Sequence, residues 1–163
     1  MIRIRAFDPS LALPAARLIR RTYSRFNAGH SPAAAVRRYL DQHYPLGDPA
    51  GLQRTFAAAP LCLVAIDGRS VVGIIRGKGN QVVSLFVDGR LHRRGIGRRL
   101  LGRFEAAARR AGHSAIVLRA APHAVAFYQA MGYSRTTGAR RYHGLSVQPM
   151  RRVLERSRRR GTR

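Results

Sequence analysis

Arg93-Arg94-Gly95-Ile96-Gly97-Arg98 lies between an apolar run, Leu85-Phe86-Val87, and an amphipathic stretch that opens with Leu100-Leu101. In order, these residues read as a buried strand, a basic glycine-bearing loop and the start of a helix. A helix N-terminus leaves backbone N–H groups unpaired and carries partial positive charge, so it attracts anions. Glycines let a phosphate approach that backbone closely, and the expected ligand is a pyrophosphate. A dinucleotide turn would want a third glycine where Leu100 stands, and a nucleoside-triphosphate loop would want Gly-Lys-Ser/Thr. Neither is present.

Further along, Ala124-Val125-Ala126-Phe127-Tyr128-Gln129-Ala130-Met131-Gly132-Tyr133 sets a tyrosine in a short helical segment closed by glycine. With this second motif in register, His92-Arg93-Arg94-Gly95-Ile96-Gly97 resembles the acyl-CoA pyrophosphate loop of the GNAT superfamily of N-acetyltransferases, Gln/Arg-x-x-Gly-x-Gly/Ala, with His92 departing at the first position. The downstream segment is similar to that family's Ala-x-x-Phe-Tyr-x-x-x-Gly-Phe signature. The resemblance implies acetyl-CoA as co-substrate. It implies that the strand segment Leu85, Phe86 and Val87 holds the pantetheine arm through backbone groups of Leu85 and Val87. The amides of Arg93, Arg94, Gly95, Ile96, Gly97 and Arg98 would hold the pyrophosphate, with arginine side chains adding charge-assisted contacts.

By the same resemblance Tyr128 is the general acid that protonates the departing thiolate. A phenol of pKa about 10 giving its proton to a thiolate of about 8.5 works uphill by roughly 2 kcal/mol. A strongly positive surrounding is expected to favour the phenolate. The base is harder to find: the position where the histone-acetylating branch carries a glutamate holds Gln81, which cannot take a proton. Asp41, Asp48, His43, His92, His123 and His143 are the alternatives, the imidazoles because they titrate near neutrality. Deprotonating a lysine-like amine at pH 7 costs roughly 4.6 kcal/mol and an α-amine about 1, so a missing glutamate favours an acceptor of low pKa. Gln81 and His92 also fit a member that binds CoA without catalysis; Tyr128 argues against it. Cys62, inside Leu61-Cys62-Leu63-Val64-Ala65-Ile66, reads as a core residue with no activating partner, and His/Cys spacing suited to a metal is absent.

The elements that must position these residues follow from periodicity. Ile2, Ile4 and Ala6 alternate with arginines as in a half-buried strand. A helix capped by Asp8 or Ser10 runs to Asn27-Ala28-Gly29, and a second helical region, broken at Pro45 and Gly47, covers residues 33–40 and 52–58. Leu61–Ile66, Ser70–Ile75 and Val82–Val87 form a meander around Asp67-Gly68 and Gly77-Lys78-Gly79. A helix from Gly97 to Gly112 leads to a strand at Ala115–Leu118, a helix begun by Pro122, and a last strand at Leu145–Val147. The fold class is α/β (α+β), a mixed, mostly antiparallel twisted sheet of about six to seven strands with helices on both faces. By the resemblance, residues 1–150 are expected to make the acetyltransferase domain, and residues 151–163, seven of them arginine, read as a frayed basic tail.

Arginine and lysine total 31 against 7 acids, a formal charge of +24. Such a field gathers polyanions and repels polycations, which excludes aminoglycosides and polyamines as well-matched acceptors. The leading reading is direct transfer of an acetyl group from acetyl-CoA to the amine of a small molecule or protein. A basic RNA- or ribosome-associated module of the same fold is the alternative, with transfer to a ribosomal protein or aminoacyl-tRNA between the two. The single cysteine and the lack of an apolar leader or spanning segment point to the cytoplasm, with no membrane partner. A monomer is expected, or a homodimer paired through the strand edge at Leu145–Val147.

Overall fold

The computed structural model describes residues 1–155. Its elements are β1 (Arg3–Ala6), α1 (Ala12–Phe26), α2 (Ala33–His43), α3 (Pro49–Ala57), β2 (Leu61–Asp67), β3 (Ser70–Lys78), β4 (Gln81–Val87), α4 (Ile96–Arg110), β5 (Ala115–Ala120), α5 (Val125–Ala130), β6 (Ser134–Arg135), β7 (Arg140–Tyr142) and β8 (Leu145–Val153). The strands form one sheet in the order β1-β2-β3-β4-β5-β8-β6, with β7 pairing β8. Every pairing is antiparallel except β4 with β5.

Each face of the sheet carries its own core. On one side α4 packs Leu100, Leu101, Phe104 and Ala108 over Ala65, Ile75, Val82, Ile116 and Leu118. On the other, Ala15, Leu18, Ile19 and Tyr23 of α1 join Leu40, Leu52 and Phe56 over Val64, Val71 and Ile74. The 3–4 spacing of the apolar positions in α1 and α4 is what lets each helix lay one stripe on the sheet. Asp48 starts α3 by accepting from the Gly51 N–H at 2.8 Å, with Pro49 in the first turn, where its missing N–H costs nothing.

Three expectations shift. The region broken at Pro45 and Gly47 is two separate helices. Strand β3 does not stop at Ile75 but carries Arg76 inward to Lys78, because β4 pairs it along that length. The last strand runs past Val147 to Val153 and Leu154 is buried, so Arg151 and Arg152, expected in a frayed tail, pair with Val117 and Ile116 of β5. The remainder of the basic tail, 156–163, lies outside the described residues. The edge at Leu145–Val147 is occupied within the chain by β7.

Candidate active site

The parallel pairing of β4 and β5 lasts for only two partners, Gln81 with Val117 and Val82 with Leu118. On the other side of β4 the register slips: Ser84 opposes Arg76 and Val82 opposes Gly77, leaving Val83 as the extra residue of a bulge. A bulged strand bends and twists, and β4 leaves β5 at this point. A cleft of about 200 Å³ opens here, lined by Val83, Leu85 and Phe86 on one bank, Leu118 to Ala121 on the other, and Tyr128 of α5. Gln81 also lines it. Among the described residues no carboxylate lines it.

Arg93 and Gly95 both take positive φ, 63° and 74°, while Arg94 between them does not, and such alternation is the backbone pattern of anion-binding nests. Gly95 precedes α4, and a Cβ placed on it would project into open space. Arg93, Arg94 and Arg98 are exposed and make no ion pair among the described residues. Gly97 serves packing: a Cβ there would sit 3.2 Å from Phe127, so the loop motif and the Phe-Tyr motif of α5 are pressed together at this glycine. His92, the departure from the family pattern, donates from Nε2 to the Val87 carbonyl at 2.9 Å and stacks on Phe26. That carbonyl is therefore engaged within the loop, while the Leu85 and Val87 side chains face the α4 core and Phe86 faces Tyr23 on the opposite face. Asp88, buried beside the loop, accepts from Arg90 and Arg21, and these hold its carboxyl well below the usual carboxylate range.

Tyr128 is buried against Phe127 and Tyr133, and burial alone raises its phenol well above 10. This corrects the expectation that the positive surroundings favour the phenolate. Desolvation outweighs them, and the hydroxyl stays protonated at neutral pH.

The cleft is further lined by Tyr23, Tyr39, His43, Arg76 and Tyr142. His43 lies between the rings of Tyr39 and His143, its buried Nε2 has no hydrogen-bond partner, and burial lowers its pKa, with help from His143 and Arg76. His123 also lines the cleft, stacked on Phe26. The two aspartates do not line it: Asp41 pairs with Arg20 at 2.7 Å, and Asp48 caps α3. Cys62 is half-buried, with its thiol pushed up to about 11 by burial, so no thiolate is available there. Among the described residues no group of three His, Cys, Asp or Glu side chains could hold a metal, and no helix is long and apolar enough to cross a membrane.

Sequence reasoning missed Arg76, Tyr23, Tyr39 and Tyr142. Only Arg76 left a signal, an arginine ending the apolar run Val71–Ile75. The tyrosines belong to elements far apart in the chain, and only the fold gathers them.

The family model described as an acetyltransferase (GNAT) domain matches residues 28–154. Comparison with curated protein sequences finds no match. Among solved structures, a GCN5-related N-acetyltransferase from Rhodopseudomonas palustris superposes with a TM-score of 0.82 at 20% identity, over 93% of this chain and 95% of its own. The PaiA N-acetyltransferase from Thermoplasma acidophilum, in complex with coenzyme A, gives 0.73 at 18% identity over 94% and 99%. A ribosomal-protein alanine N-acetyltransferase from Escherichia coli gives 0.62 at 15% over the whole of both chains.

Proposed function

Because the chain belongs to the GNAT acetyltransferase family and is an acetyl-CoA-dependent acyltransferase, we propose that it moves the acetyl group directly from acetyl-CoA to an amine bound in the same cleft. The observation that carries this reading is the convergence of the β4–β5 split, Tyr128 and His43 on one cleft. Acetyl-CoA supplies the thioester. The Arg93–Arg98 backbone binds its pyrophosphate, and the free edge of β4 near Leu85 takes the pantetheine arm in strand fashion. Phe86 belongs to the cofactor strand by its backbone, with its ring on the acceptor side.

Two proton movements remain for side chains. Neutral His43, with its Nε2 uncommitted, takes the proton that the amine releases, and Tyr128, a protonated phenol, gives one to the departing sulfur. Calorimetry should show acetyl-CoA binding, and thiol release should follow when amines are screened. Binding without release for every amine tried would reduce the chain to a CoA-binding protein. The +24 charge supports a second reading, contact with RNA or the ribosome. Affinity for RNA that falls steeply with salt would support it, and affinity indifferent to salt would remove it.

A further inference from the structure

Three described ionised side chains are buried: Arg76, Asp88 and Glu105. Two of them have opposite charges in contact, Asp88 with Arg21 and Arg90, and Glu105 with Arg152 at 2.9 Å. Arg76, only 7% exposed, has none. Its Nε donates to the Ser84 hydroxyl at 2.9 Å, Nη1 to the Thr55 carbonyl at 3.0 Å and Nη2 to the Tyr44 hydroxyl at 2.7 Å, all neutral acceptors. The guanidinium lies near the rings of Tyr44 and Phe56. Five N–H donors are available and these bonds use three.

A buried charge without a counter-charge costs several kcal/mol, and proteins otherwise pair such groups. Arg76 also lines the cleft on the side where the acceptor must enter. We propose that the acceptor is an amine bearing its own carboxylate, an amino-acid-type substrate whose carboxylate pairs with the two unused N–H donors of Arg76. The pairing would supply the missing counter-charge and fix the amine at one end of the substrate relative to the thioester. It also accounts for a cleft without carboxylates, which suits an acid and repels polycations.

This inference rests on the transferase reading above, and the two separate experimentally. Thiol release from acetyl-CoA is measured for each common amino acid and for its primary amide. The amide's amine is the more readily deprotonated of the two, so a preference for the acid cannot come from basicity. The expected result is a kcat/KM for the preferred acid about 10- to 100-fold above its amide, the size of one charge-assisted contact, with the preference lost in Arg76→Gln. Amides used as well as acids, or a preference surviving in Arg76→Gln, overturns the proposal and leaves the transferase standing. Should Arg76→Gln not fold, thermal shift on the wild-type protein decides. A midpoint raised by N-acetyl amino acids and not by their amides supports the proposal; equal shifts, or none, refute it. Failure of acetyl-CoA to bind would sink the transferase reading alone, since the thermal-shift comparison needs no turnover.

Discussion

On the α4 face the site is built from backbone, and on the α1–α3 face from side chains. The loop Arg93–Gly97 has two positive-φ residues, one of them Gly95 with open space beside it, so anion binding there would depend on chain conformation. Across the sheet, His43, Arg76, Tyr23 and Tyr39 present rings and a charge whose identity is the chemistry. On the reading proposed above, the backbone site would bind the pyrophosphate and need only the right φ/ψ, and the side-chain site would bind the acceptor. Substitutions on the first face should therefore act on cofactor affinity, and those on the second on turnover and acceptor choice.

Tyr128 is where the two faces meet, and its loss should be largest. Tyr128→Phe keeps the ring packed against Phe127 and Tyr133 while removing the proton donor. We expect kcat to fall about 10²- to 10⁴-fold, with acetyl-CoA affinity by calorimetry unchanged. An unchanged kcat would take Tyr128 out of the mechanism. His43→Gln comes next, with a loss of about 10²-fold. Its pH profile is the sharper reading. Burial holds the imidazole below its ordinary 6.5, so the base is neutral at pH 7 and the wild-type kcat/KM should fall only on the acid side of 6.5 as His43 takes a proton. The variant should lack that acid limb; a limb that persists points to another base, with His123 next to be tested.

Gly95→Val probes the backbone face. Its φ of 74° is strained for a β-branched residue, and the added methyls would fill the open space beside the loop. Acetyl-CoA affinity should fall by about 10- to 100-fold, the size of one lost charge-assisted contact. The amino-acid preference among acceptors should stay. A shift in acceptor preference without loss of cofactor affinity would break the division between the faces.

This division also explains what could be read from the chain. The loop and the Phe127-Tyr128 motif were legible because backbone conformation leaves local traces: glycines where φ is positive, and an apolar run before a helix. That Gly97 touches Phe127 explains why the two motifs are informative together. On the acceptor face only His43 was named, as one base among several, because Arg76, Tyr23 and Tyr39 come from β3, α1 and α2 and become its neighbours only after folding. Asp41 and Asp48 were plausible as acids on the acceptor-side helices, yet local work, an ion pair and a helix cap, occupies both. Arg151 and Arg152 read as tail because charge masks a strand whose neighbours, Met150 and Leu154, are buried.

Smaller effects test whether the α4 face has side-chain chemistry of its own. Tyr133 donates to Glu105 at 2.8 Å, and Arg152 donates to both oxygens of the same carboxylate. Tyr133→Phe should cost about 1.5 kcal/mol in urea unfolding, since Glu105 keeps its arginine, and should leave kcat/KM in place. A fall in kcat larger than the stability loss accounts for would mean that Tyr133 helps to set the Tyr128 hydroxyl.

The smallest effect belongs to the acceptor rim. Tyr142 and Leu145 are paired across a two-residue turn in which His143 and Gly144 take φ of 50° and 78°. That turn type wants two residues tolerant of positive φ, and His143 is a poor one. The left-handed conformation costs an L-residue roughly 1–2 kcal/mol, while glycine gives back about 0.5–1 in chain entropy, so His143→Gly should stabilise the fold by about 0.5–1 kcal/mol. The His143 ring lies 5.9 Å from that of His43. Removing it withdraws one of the groups that lower the His43 pKa, so the acid limb of kcat/KM should move toward 6.5 as the melting temperature rises. Gain in stability with no movement of that limb would make His143 a turn residue alone and leave His43 governed by burial.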